Sequence, residues 1–385
     1  VLVLRDGRVL LPEGKLIRAD IVVGDDGRIA AVGSGLPVPA GARVLDAGGR
    51  AVLPGLIDLH THLTAFEQDT TRLGRESRVA LVAAQLALRS LRAGITTVRD
   101  VGGYRFVDIE LRNAVAAGIT PGPRILCAGL FICMTGGHVY NIGREADGPY
   151  EMRKAAREQL RAGADFIKVM ASGGVERGDE SIDTSQLEYD ELKAAVDVAA
   201  DAGTVVVAHA HPPRAIKQAV KAGVASIEHG TLLDEEAAEM MVERGTFLVP
   251  TFAVYDYIAR SGPVVLRERA AMVAETKRKT FLMAVGKGVR WGVGTDSGGF
   301  SPVESIVDEL VILRGLGLPA AEVLRRATSF NAELAGLSDT GSISMGKRAD
   351  LIVVDGDPIE DLTSLRHVVA TVKNGVVFDW ATSPA

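Results

Sequence analysis

From residue 1 to about 53 the chain runs in short apolar stretches that alternate with polar positions, cut at Asp6-Gly7, Asp25-Asp26-Gly27 and Asp46-Ala47-Gly48-Gly49. Asp-Gly between β-branched runs is a hairpin signal, so this segment reads as a small antiparallel sheet. Residues 337–385 have the same texture. Leu351–Val354 ends at Asp355-Gly356-Asp357-Pro358, and Val368–Lys373 turns at Asn374-Gly375 into Val376 and Val377. Neither end has enough strands to stand alone. The two are therefore expected to combine as a β-sandwich domain, residues 1–53 plus 337–385, with the rest of the chain inserted between them.

The insertion, 54–336, keeps a different rhythm. Amphipathic helical stretches close on a glycine and pass at once into a short β-branched run, at Gly94, Gly163, Gly203, Gly223, Gly245 and Gly288. A glycine there supplies the left-handed residue that stops a helix, so each unit is a helix-to-strand return. With strands at 51–59 and Arg124–Ala128 added, eight strands alternate with helices. Eight βα units over about 280 residues fit an α/β fold of the TIM (β/α)8 barrel type. An open doubly wound sheet would carry a glycine-rich phosphate loop after its first strand, and Pro54-Gly55-Leu56 opens no helix.

A barrel of this kind keeps its chemistry at the carboxyl ends of its strands. Those ends carry His60 and His62, Asp100, the Thr135–His138 loop, Lys168, His209 and His211, His229, Thr251 and Asp296; six of the seven histidines fall in this set, as scattered histidines would not. His60 and His62 end an apolar strand at i, i+2 spacing. That spacing puts both imidazoles on one face and suits a divalent ion such as zinc. Lys168 is a cation inside the apolar run Asp165–Ala171. Burial without a partner favours its neutral amine, which can add carbon dioxide to become an anionic carbamate whose two oxygens can bridge two cations; a lysine paired with Asp100 or Asp296 is the plainer reading. Asp100 reads as an orienting hydrogen-bond acceptor or as a helix N-cap.

Composition narrows the partners. The 49 acidic and 43 basic residues, net charge -6, are mixed without runs, which argues against nucleic acid. The longest apolar run, Ile125–Met134, falls short of the roughly 20 residues of a membrane helix, and Arg5 and Asp6 break the apolar opening, so neither a membrane span nor a leader is expected. Cys127 and Cys133 read as reduced buried thiols and point to a cytoplasmic protein. A homo-oligomer is expected.

The motifs together resemble the amidohydrolase superfamily, in particular its two-metal members with a carboxylated bridging lysine. They are the strand Pro54–His62, Lys168, His209-Ala210-His211, Ile227-Glu228-His229-Gly230, Gly294–Ser297, and the tail from Gly341 through Gly346–Leu351. The resemblance spans nearly the whole chain. It implies two divalent ions, zinc being the expected metal. His60, His62 and Asp296 would bind the more buried ion, His209 and His229 the second, and carboxylated Lys168 would bridge them. His211 would stand behind the ligands or face the substrate. Two ions about 3.5–4 Å apart share a water and lower its pKa enough to supply hydroxide. Asp296 would act as general base and then acid, and His138, backed by Tyr140, would donate to the tetrahedral intermediate; a solvated turn is the plainer reading of His138.

The loops Thr135–His138, Phe166–Gly174 and His209–His211 look most like the branch of Xaa-Pro dipeptidases and carboxypeptidase-like enzymes, which release a C-terminal amino acid from dipeptides or N-acyl amino acids. Such a substrate carries a carboxylate, for which Arg144, Arg177, Tyr255 and Tyr257 are candidate partners. A basic departing residue would need an acid in the same loops, Glu176, Asp179 or Glu304. Other readings are a carbamate, urea or phosphoester substrate at the same site, a mononuclear deaminase or ring-opening enzyme, and a metal-free scaffold. The deaminases carry a glutamate soon after the fifth-strand histidine, which His209–Pro213 lacks. A scaffold would have no need of all six filled ligand positions.

Overall fold

Strand β1, Leu2–Leu10, is the axis of the first sheet. Strand β2 (Leu16–Val23) pairs with it antiparallel, and β3 (Ile29–Gly33) follows β2, but β4 (Arg43–Asp46) and β5 (Ala51–Pro54) both run parallel to β1. The sheet is therefore mixed, not the antiparallel meander read from the turns. The reason lies at Asp6-Gly7, which is a bulge within β1 and not a hairpin turn: the register slips between Leu4 and Gly7, and Asp6 takes φ 54°. A Cβ on Gly7 would lie 2.7 Å from Val52 Cγ2. From the other end of the chain, β15 (Leu351–Val354) pairs antiparallel with β5, setting Leu351 opposite Pro54 and Val354 opposite Ala51; β16 (Val368–Lys373) and β17 (Val376–Asp379) continue outward. The expected union of the two ends is thus one hydrogen-bonded sheet of eight strands. Leu4, Ile21, Val52, Ile343, Leu351 and Val372 form its apolar cluster. This computed structural model describes residues 1–65, 74–175, 180–299 and 301–380.

Gly55 divides the run 51–59 between two sheets. A Cβ there would fall 2.1 Å from Thr96 Oγ1, so the chain turns where it lies against its neighbour, and β6 (Leu56–Thr61) begins a parallel set with β7 (Ile95–Asp100) and β8 (Arg124–Cys127). A second parallel set contains β9 (Ile132–Cys133), β10 (Arg144–Glu145), β11 (Ile167–Met170), β12 (Val206–Ala210), β13 (Ser226–His229) and β14 (Phe247–Val249), in the order β10-β9-β11-β12-β13-β14. All six glycines at the predicted returns have positive φ, from 71° at Gly203 to 102° at Gly163 and Gly223. The helices before them bury one stripe. Helix Pro213–Ala222 turns Ala215, Ile216, Ala219 and Val220 inward, the i, i+3, i+4 spacing of an amphipathic helix.

The eighth strand, expected at 288–293, is not regular. Gly292 and Gly294 press so closely on Leu59, Val249 and Asn331 that side chains would clash at 2.5–2.7 Å, and Asn331 takes over part of the ladder, donating to Ile57 O and Val293 O at 2.7 and 2.8 Å and accepting from Val293 N at 3.0 Å. The segment still bonds on both sides. Leu248 N reaches Arg290 O at 2.8 Å, Leu59 N reaches Val293 O at 3.0 Å, Asp296 N reaches His60 O at 2.8 Å and His62 N reaches Ser297 O at 2.7 Å. Asp165 N donates to Cys127 O at 2.8 Å, between β8 and the start of β11. Both cysteines are free and buried, and among the described residues no helix is long and apolar enough to cross a membrane.

Candidate functional site

The strand ends converge. One cavity is lined by the polar groups of His60, His62, His138, Lys168, His209, His229 and Asp296 and by the apolar side chains of Ala65, Phe131, Val139, Ile142, Met170 and Val254. The rings of His60 and His62 have centroids 5.2 Å apart, as the i, i+2 spacing requires; His60 and His229 are 4.9 Å apart, and His209 and His229 4.6 Å. Donor atoms of His60, His62 and Asp296 all lie within 4.8 Å of one another. Asp296 Oδ1 is 3.5 Å from His60 Nε2 and 3.2 Å from His62 Nε2, and its Oδ2 is 3.9 Å from His229 Nδ1. A single carboxylate therefore faces both halves of the histidine cluster.

The backbone is strained where it presents these groups. His229 (φ 72°), Thr251 (φ 51°) and Asp296 (φ 58°) are left-handed non-glycine residues at three successive turns. That conformation costs an L-residue roughly 1–2 kcal/mol, and such strain gathers at functional sites.

His60, His62, His211 and His229 are each held through Nδ1. His60 Nδ1 donates to Glu228 Oε2 at 2.7 Å, and the other carboxylate oxygen of Glu228 accepts from Arg99 at 2.7 Å. His62 Nδ1 lies 2.9 Å from Gly102 O, His229 Nδ1 2.8 Å from Thr251 Oγ1, and His211 Nδ1 2.8 Å from Thr231 Oγ1. His60 Nε2 is buried with no hydrogen-bond partner, which suits an ion. Burial and the neighbouring Lys168 bring the His60 pKa down to about 4, although Asp296 and Glu228 work the other way. Burial likewise lowers His209, His211 and His229 well below the ordinary histidine value. Neutral imidazoles are the form that binds metal. Burial works to raise Asp296, but His60 and the bond to His62 outweigh it and hold the carboxyl ionised.

The remaining sequence candidates divide. Lys168 is 1% exposed and lines the cavity. His138 is buried, with its ring 4.4 Å from that of His209 and Nδ1 2.7 Å from Glu180 Oε2; it is not a solvated turn. Asp100 is no helix cap: its Oδ2 accepts from Leu63 N at 2.8 Å and so holds the chain leaving β6. His211 does not line the cavity but lies behind it, stacked on His229 at 5.1 Å. Arg144 is drawn away to Glu158 and Glu151 at 2.8 and 3.2 Å, so its guanidinium is already paired. Tyr140 is 42% exposed and outside the lining. Tyr255 is buried against Lys277, and Tyr257 is half-buried; neither lines the cavity. Glu304 pairs with Arg89 by two 2.8 Å bonds. Arg177, Glu176 and Asp179 lie outside the described residues.

Several residues that shape the site carried no sequence signal of their own. Glu228 sits inside a motif but reads as an ordinary strand position. Asp58 joins the segments that carry His60 and Asp296, accepting from His60 N at 3.0 Å and from Thr295 Oγ1 at 2.6 Å. Lys277, 1% exposed, reaches Thr251 behind His229; burial brings its pKa down to about 7.

Known proteins resemble this chain over nearly its whole length. Ochratoxinase of Aspergillus niger is 31% identical over 98% of this chain and 86% of its own length. A crystal structure of a prolidase complexed with N-methylphosphonate-L-proline superposes with TM-score 0.91 at 33% identity, covering 98% of this chain and 99% of that one. A Xaa-Pro dipeptidase with methionine bound in its active site gives TM-score 0.90 at 34% identity over the same shares. The amidohydrolase family model matches residues 51–378, and the chain belongs to the amidohydrolase family.

Proposed function

We propose that this protein is a two-metal hydrolase that cleaves the amide bond of a dipeptide or N-acyl amino acid, releasing the C-terminal residue, with Xaa-Pro the first substrate to try. The observation that carries the reading is the meeting of six candidate ligands from five separate segments at one cavity, His60, His62, Lys168, His209, His229 and Asp296. The relatives named as prolidase, Xaa-Pro dipeptidase and ochratoxinase support the amide class. We also read the two parallel sets, joined through residues 290–297, as the eight-unit barrel, with residues 1–53 and 337–385 as a second domain.

His60, His62 and Asp296 would hold one ion, His209 and His229 the other, and Lys168, carboxylated, would bridge them. Zinc is the ion this donor set suits best. When bound, the pair supplies a hydroxide nucleophile at neutral pH and polarises the carbonyl. Asp296, facing both halves of the cluster, accepts the proton and delivers it to the departing nitrogen. His138, held through Nδ1 by Glu180, turns its other nitrogen toward the developing oxyanion. Phe131, Val139, Ile142, Met170 and Val254 exclude water from the rest of the cavity.

The test is metal content by atomic emission together with a screen of Xaa-Pro, Xaa-Arg/Lys and N-acyl amino acids. Two ions per chain and turnover of an amide are expected. One ion with release of ammonia from an aminated ring would replace this reading with the deaminase one.

A further inference from the structure

Lys277 lies on the helix Val264–Gly286, outside every motif, and is 1% exposed. Its Nζ donates to the carbonyl of Pro250 and is 3.3 Å from both the carbonyl and the hydroxyl oxygen of Thr251. The Tyr255 ring centroid is 4.0 Å away. These oxygens belong to the short link that carries the chain from β14 into the helix Phe252–Ser261. Thr251 there has φ 51° and ψ 64°, a conformation that β-branched residues avoid. On the far side of the link, Ala253 N donates to Glu309 Oε2 at 2.7 Å. The Thr251 hydroxyl is 2.8 Å from His229 Nδ1.

An ammonium has three donors and no acceptor, and here three oxygens of two consecutive residues converge on it. We propose that Lys277 is a positioning residue for His229: it gathers the Pro250 and Thr251 oxygens, holds Thr251 in its left-handed turn, and so places the hydroxyl that fixes the His229 ring. The inference rests on the reading of His229 as a ligand of the second ion. A lysine that served only to fill the core would hold no ring in place; the charge of Lys277 is felt by both His211 and His229, but its hydrogen bond to the Thr251 hydroxyl leads to His229.

Lys277→Met keeps the stem and removes the donors, while Thr251→Val removes only the hydroxyl. Both are made in the full chain. Zinc binding is followed by competition with a chelator, and the metal-stripped protein, labelled with ¹⁵N at histidine, is followed by NMR. Each variant is expected to keep the first ion, to bind the second at least tenfold more weakly, and to move the Nδ1 signal of His229 while that of His60 stays in place. Both ions held at wild-type affinity with His229 unmoved would overturn the proposal, as would equal weakening of both ions with a general loss of stability. If Lys277→Met does not fold, Thr251→Val gives the same readouts. A wild-type chain that takes up one ion only would count against the two-metal reading, and the His229 signal of the stripped protein then decides the role of Lys277.

Discussion

Glu228 accepts the Nδ1 proton of His60 at 2.7 Å across 168 residues of chain, and at the same distance its second oxygen holds Arg99. All three groups are buried. Burial would raise the Glu228 carboxyl, but Arg99 and His60 bring it down to about 2. The carboxylate thereby fixes the His60 tautomer and leaves Nε2 as the nitrogen for an ion, the role of the outer partner of many metal-bound imidazoles.

Glu228→Gln should therefore weaken binding of the first ion by about 10–100-fold, measured by chelator competition, with the fold retained. Glu228→Leu should also lower stability, by about 3–5 kcal/mol, because it leaves Arg99 charged and uncompensated in the core. Metal affinity unchanged in Glu228→Gln would show that His60 needs no such partner.

A second expectation concerns pH. Glu309 is buried, and burial pushes its pKa from 4.5 to about 8. Between those values the folded protein keeps a proton that the unfolded chain has released, so stability falls as pH rises through the window and levels off above about 8. Glu309→Gln keeps the acceptor for Ala253 N and cannot ionise. Its advantage in urea unfolding over the wild type should grow from near zero at about pH 4.5 to a few kcal/mol at about pH 8. A variant that loses ground as pH rises would reverse the sign and exclude this account.

What could be read in the sequence was local. The six returns needed only a glycine with positive φ after a helical stripe, and the candidate ligands other than Lys168 needed only to end apolar runs. The rest depends on contacts between distant segments. Asp6-Gly7 has the composition of a turn and becomes a bulge because Val52 packs where a Gly7 side chain would be. Glu228, Asp58 and Asn331 look like ordinary residues of a strand or helix until a partner 168, 237 or 274 residues away supplies the other half of the bond. The helix around Lys277 does not mark its inner face by polarity, because Val265, Met272 and Leu282 are exposed on the outer side while Lys277 is buried in line with Leu266, Val273 and Phe281.

Lys168 provides the sharpest test of the two-ion reading. Lys168→Ala should lose most bound metal and activity, and short carboxylic acids such as acetate should restore part of both, because a free carboxylate offers the same two oxygens to the ions. Wild-type activity in that variant would exclude a bridging role.

Substrate preference follows from the cavity walls. Among the described residues the lining contains Asp296 as its carboxylate, and Glu304 is committed to Arg89. Among the described residues a basic departing residue would find no carboxylate there besides Asp296, while Phe131, Met170 and Val254 offer apolar contact worth about 1.5–3 kcal/mol for a fully buried side chain. Neutral apolar dipeptides should be cleaved at least tenfold faster, in kcat/KM, than those ending in Lys or Arg. Equal rates would place the specificity outside this lining.

The placement of His138 depends on a residue with no side chain. A Cβ on Gly174 would lie 2.3 Å from His138 Cε1 and 2.8 Å from its Nδ1, so the ring occupies the space that any other residue would fill. Gly174 N also donates to Glu180 Oε2 at 3.0 Å, the same oxygen that holds His138. Gly174→Ala must move the imidazole or the backbone by most of an ångström. A displacement of that size at a reacting centre costs about 100-fold in rate, so kcat should fall by roughly that factor. Because the backbone at Gly174 has no positive φ, the change adds a steric clash without backbone strain, and the thermal midpoint should move far less than the rate. Glu180→Gln, which keeps the shape and removes the charge, should lower kcat by less and leave KM for a neutral dipeptide unchanged. Full activity in Gly174→Ala would mean that His138 does not take part in the reaction, and the oxyanion would then have to be met by another group at the cavity.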